Sequence, residues 1–158
     1  MTKKSISAQK SEWIVLILFS VCYIFVTIFH EPWFDEAQAW QIAKCSSVKD
    51  ILLVIPHYEG HPPLWHLILA IPAKMGIPFE IGLKSIGFII TITSIILILF
   101  VSPIPRIVKL LLPFNYFIFY QYGIVVRPYC LMLLLLLVIA IIFPVKKEHP
   151  FWFCGSLG

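Results

Sequence analysis

Residues 13–30 read WIVLILFSVCYIFVTIFH, eighteen residues without a charged side chain before the closing histidine. At about 1.5 Å per residue, such a helix nearly crosses the roughly 30 Å hydrocarbon layer of a membrane. Lys3, Lys4 and Lys10 precede it, the charge pattern of a signal peptide. The run is nevertheless longer than a signal peptide's apolar region of ~7 to 15 residues, and Phe29, His30 and Glu31 stand where small residues would be needed for cleavage. It is therefore read as an uncleaved first span that enters from the cytoplasm.

The remaining composition agrees. The chain has 158 residues, 60% of them hydrophobic and only 13% charged, with a mean hydropathy of +0.94, outside the range of ordinary soluble domains. Further apolar runs cover 85–101, 107–125 and 128–143. The stretch 61–79, HPPLWHLILAIPAKMGIPF, is harder to place, because its uninterrupted apolar part is short before Pro72 and Lys74. Keeping it outside puts seven basic residues on the inner face and five on the outer, whereas letting it cross divides them evenly. The expected fold is thus all-α, a polytopic helical membrane protein with spans at 13–30, 82–101, 107–124 and 128–144. Residues 31–81 form an external segment with juxtamembrane helices. The chain stops at PFWFCGSLG, an apolar start without continuation, and reads as a single N-terminal module, 1–158, of something longer.

The net charge of +4 comes from scattered lysines rather than a basic stripe, which excludes nucleic acid as a partner. Cys22, Cys45, Cys130 and Cys154 show no close pairing, so neither a disulfide framework nor a zinc site is expected. The acids are distributed unevenly. Six of the eight lie in the external segment: Glu31, Asp35, Glu36, Asp50, Glu59 and Glu80. Asp35 with Gln38 three residues on fits a capping box opening a helix over 36–44, and Ser47 with Asp50 fits a second one opening a helix that ends at Pro56. Trp33, Trp40 and Trp65 would anchor these helices at a membrane surface.

Each polar candidate has two readings. Asp35 is either an N-cap or a general base kept ionised at a helix start, and Glu36 is a first-turn acid matched to the helix dipole or a second acid of the same site. His57, His61 and His66 invite a zinc reading, but Gly60, Pro62 and Pro63 break any helix that would align the first two. His61 otherwise suits a surface or phosphate-facing role. Arg127 either snorkels at a span end or offers its fork to phosphate. Tyr116, Tyr120, Tyr122 and Tyr129 read as interface or packing aromatics, and Asn115 and Gln121 as partners in hydrogen bonds between helices.

Three segments in order, FDEAQAWQIA (34–43), HPPLWHLILA (61–70) and PFNYFIFYQYGIVVRPYCL (113–131), with this hydropathy, give nearly the whole chain a resemblance to the N-terminal part of GT-C-type glycosyltransferases. It is similar to the protein O-mannosyltransferases and to the aminoarabinose and Rgt-like lipid-phosphate-sugar transferases. The resemblance implies transfer of a sugar from a polyprenyl-phosphate donor to an acceptor on the outer face of a plasma or inner membrane, usually with inversion. It implies Asp35 as catalytic base, Glu36 as its neighbour at the site, and His61 and Arg127 near the donor phosphate. Chelation of one divalent metal by Asp35 and Glu36 together would require the cap geometry, so a metal is left open and no other cofactor is called for. The sugar and the acceptor are not specified. The alternative is a small non-catalytic membrane subunit, or inactive fragment, whose acids only cap interfacial helices. A transporter fragment would need ionisable groups in mid-span, which these runs almost lack.

Overall fold

The computed structural model describes residues 6–60 and 62–143, with side chains from residue 10 onward. His61 and the end of the fourth expected span at residue 144 lie outside the described residues. Every regular element among those described is helical: α1 (Ile6–Phe29), α2 (Phe34–Cys45), α3 (Val48–Leu53), α4 (Ile55–Glu59), α5 (Pro63–Lys74), α6 (Phe79–Ile96), α7 (Arg106–Leu111) and α8 (Pro128–Ile142). A π-helical turn, Leu97–Val101, prolongs α6, and a 3-10 turn (Leu112–Phe114) and a π-helix (Phe117–Ile124) join α7 to α8.

α1 is built inside out by the standard of a soluble helix. Its inward face carries Glu12, Leu16, Phe19, Tyr23 and Thr27 at spacings of three and four, including its buried polar groups. Beyond the exposed Lys10 its outward face is apolar, with Ile14, Ile17, Val21, Ile24, Phe25 and Ile28 all at least half exposed. Two helices, Lys10–Phe29 and Phe79–Val101, are long and apolar enough to cross a membrane. α8 is apolar too but has only 15 residues, about 22 Å of helix.

The third expected span is not one helix. Pro113 cannot donate to a helical ladder and sits in the 3-10 turn. Asn115 then restarts the chain, its Oδ1 accepting from the Phe117 N–H at 3.0 Å. The continuous helix expected over 107–124 is therefore corrected to three short helical pieces. Nor do the polar groups here bridge helices as expected: Gln121 Nε2 donates to Tyr116 Oη within the same segment, at 2.7 Å.

Two ends of the molecule are defined by long-range bonds. At one, Arg106 donates to Ser11 Oγ at 2.8 Å and the buried Lys109 ammonium donates to the Ser102 carbonyl at 3.2 Å. At the other, α2 packs on α5, and Trp40, Ala43, Ile51, Trp65, Leu69, Leu83, Val126 and Cys130 share one apolar core. Burying each large side chain there contributes about 1.5–3 kcal/mol. Gly82 makes this docking fit, since a Cβ at that position would stand 2.3 Å from the Trp40 ring. α5 has 12 residues, about 18 Å of helix, and is held against α2 by the Lys74 ammonium donating to the Ser46 carbonyl at 2.7 Å. Leu16, Phe19, Tyr23, Ile95, Ile98, Leu99, Ile118 and Ile124 form a second core. There the buried Tyr23 hydroxyl donates to the Gly123 carbonyl at 3.0 Å, satisfying an acceptor in the irregular π-helix.

Candidate functional site

The site is assembled where α1 ends, α2 begins and the π-helix turns into α8. Its local geometry corrects the expected cap. The N-cap of α2 is Trp33, not Asp35, and the acid at the third helical position is Glu36. The Glu36 carboxylate reaches back to accept the Trp33 N–H at 2.8 Å, while the Trp33 carbonyl accepts from the Glu36 and Ala37 amides. The helix thus starts two residues earlier than the Asp35–Gln38 pattern suggests. Gln38 instead donates to Glu59 Oε1 at 3.1 Å. The second expected cap corresponds to an observed one, with the Asp50 N–H donating to Ser47 Oγ at 3.1 Å.

Glu36 is buried, with 1% of its surface exposed. Oε1 accepts the Val126 N–H at 2.8 Å, from a residue 90 positions later. Oε2 accepts from Trp33 and lies 3.3 Å from His30 Nε2, a ring itself nearly buried. One carboxylate therefore fastens three segments, and its bonds are to the chain itself, as the first-turn reading of Glu36 expects.

Asp35, next in sequence, points the other way. Its side chain is 48% exposed and is paired with Arg127: Nη2 donates to Oδ1 at 2.9 Å, and Nε lies 2.6 Å from Oδ2 as an ion-pair contact without a hydrogen bond. The guanidinium also stacks over the Trp33 ring, 5.0 Å from its centroid. A carboxylate has about four lone-pair positions, so this one hydrogen bond leaves it able to accept more. The structure thus brings Asp35 and Arg127 together. His57 is exposed on α4 and His66 is buried on α5.

Asp35 and Arg127 line a cleft of about 190 Å³ with Gln38, Glu59, His66 and Tyr129. Beside it runs an apolar groove of about 300 Å³ lined by Leu64, Leu131, Met132, Leu135 and Leu136. Trp65, Pro128 and Tyr129 belong to the walls of both. A cleft with charged walls and an apolar groove therefore share a partition. The donor set does not fit a divalent metal. Glu36 spends its oxygens on two amides and a histidine, Asp35 faces a cation, and among the described residues no three His, Cys, Asp or Glu side chains converge on a metal-sized position.

His30, Trp33 and the Val126 amide had no sequence signal as site residues. An N-cap tryptophan is unusual, and a backbone N–H has no letter of its own. No protein-family model, curated protein or solved structure matches the chain.

Proposed function

We propose that the chain is a multi-pass membrane module that transfers a sugar from a polyprenyl-phosphate donor to an acceptor, with Asp35 as general base and Arg127 as the phosphate-binding cation. The observation that carries this reading is the Asp35–Arg127 ion pair in a cleft with charged walls that continue into an apolar groove. The groove suits a prenyl chain and the cleft its phosphate and sugar. α1, α6 with its π-helical turn, the broken 106–124 segment and α8 would make four passes. The end holding Lys10, Arg106 and Lys109 would face the cytoplasm by its basic charge.

The chemistry follows from the pair. Phosphate and carboxylate present similar oxygen forks to a guanidinium, so an arriving donor competes with Asp35 for Arg127. The released carboxylate takes the proton of the acceptor hydroxyl as that oxygen bonds to the anomeric carbon. The bond from carbon to the phosphate oxygen breaks, and the departing polyprenyl phosphate keeps the electron pair while Arg127 balances its charge. A phosphate leaving group of this kind needs no strong acid. Val126 and Arg127 are adjacent, so the Glu36 bond to the Val126 amide holds Arg127 within reach of the cleft.

The test is Asp35→Asn in the membrane-embedded protein, with transfer measured from a radiolabelled polyprenyl-phosphate sugar. Loss of a base predicts a fall of about 10²- to 10⁴-fold at normal membrane insertion. Transfer at the unaltered rate would remove Asp35 from the mechanism.

A further inference from the structure

At α1's last turn lies a separate cleft of about 470 Å³, lined by Phe25, Phe29, His30, Glu31, Trp33 and Tyr120. Its chemistry differs from that of the apolar groove, whose lining is mainly aliphatic and carries no charge. Here Phe29, at the end of α1, is 72% exposed and Trp33 54%, while Phe25 lies a turn deeper on α1's outward apolar face and packs edge-on to Phe29. The His30 ring is fixed edge-on to Tyr120 at a centroid distance of 6.3 Å, and is pinned behind by Glu36. Glu31 is exposed, and it alone among the acids of residues 31–60 has no hydrogen bond or ion pair among the described residues.

Exposed ring faces beside a free carboxylate are the complement of a sugar ring. Its C–H face packs on an aromatic surface, and its hydroxyls donate to carboxylate oxygens, which act only as acceptors when ionised. A hydrocarbon tail would gain nothing from Glu31, and would leave it desolvated. The volume falls within the ~300–1,000 Å³ of small-molecule sites. Trp33 joins this cleft to the first, since it lines the second cleft and lies under the Arg127 guanidinium.

We propose that this aromatic cleft is a saccharide-binding subsite and that the acceptor is itself a glycan. The substrate class rests on the transferase reading above, but the binding site does not. The test is ligand-observed saturation-transfer NMR on the full chain in lipid nanodiscs, with maltotriose and chitotriose as probes and a short Ser/Thr-containing peptide as comparator. At least one trisaccharide binds, its Kd rises at least tenfold in Phe29→Leu and in Glu31→Gln, both exposed positions that the fold tolerates, and Lys49→Gln, exposed on α3 and away from both clefts, leaves it unchanged. No saccharide binding at millimolar concentration, equal binding by both variants, or binding of the peptide alone would overturn the subsite. Sugar transfer by a chain that binds no saccharide would sink this inference and spare the transferase reading. Saccharide binding by a chain that transfers nothing would do the reverse.

Discussion

At Glu36 a carboxylate buried to 1% exposure accepts two backbone N–H bonds and faces a histidine, so its replacement by glutamine cannot be neutral. An amide has one acceptor oxygen, and either Trp33 or Val126 would then point its N–H at an NH₂ group. Leaving one buried donor unmet costs about 1–3 kcal/mol, and Glu36→Gln is expected to lose that much in chemical denaturation followed in detergent micelles. Asp35→Asn sits at the opposite extreme. Its ion pair with Arg127 is half in solvent, where such pairs are worth about 1 kcal/mol or less, so the fold is expected to lose little while transfer collapses. Equal destabilisation by the two substitutions would show that Asp35 too is a structural acid. The pairing of Arg127 with Asp35 agrees with the expectation that the two lie together at one end. The division of labour between Asp35 and Glu36 was not legible, because Glu36's partners are two main-chain amides and a histidine, and neither composition nor periodicity marks an amide 90 residues away.

At the scale of elements, α6 carries two glycines that set how closely its neighbours approach. A Cβ on Gly87 would stand 2.6 Å from Val126 Cγ2, and valine is stiff at χ1, so the backbone at Val126 must give way. Since the Val126 amide is the one Glu36 holds and Arg127 follows it, Gly87→Ala is expected to cost about 1–3 kcal/mol through overpacking. It should also lower sugar transfer by more than its effect on folded protein, although residue 87 lines neither cleft of the site. Measuring specific activity per folded molecule separates the two effects. Unchanged specific activity would mean that the position of Val126 does not govern Arg127. The helices themselves were largely readable from apolar runs and caps. The broken course of 106–124 was not, because a hydropathy window averages across Pro113 and Asn115 and records how greasy a segment is, not whether its ladder of hydrogen bonds is continuous.

For the molecule as a whole, the arrangement of ends is testable without any assay of activity. Ser11 and Arg106 meet at one end, and Trp33, Glu36 and Arg127 meet at the other. With the remaining cysteines changed to serine, the exposed Cys45 on α2 is expected to react with an impermeant maleimide from outside intact cells. A cysteine at Ile107, which is 74% exposed, should react only after permeabilisation. The reversed pattern would invert the proposed orientation, and labelling of both from one side would remove the crossing between them. Three of the bonds that close the structure, Tyr23 to Gly123, Glu36 to Val126 and Asp35 to Arg127, join residues 90 to 100 positions apart. During synthesis from the N-terminus, α1 and α2 therefore emerge well before their partners exist, and Glu36 must stay in contact with water until residue 126 has been made. The corner holding Asp35 and Arg127 therefore closes late, so a chain halted earlier has its first apolar helix made and its acids still hydrated, with no cation yet beside Asp35.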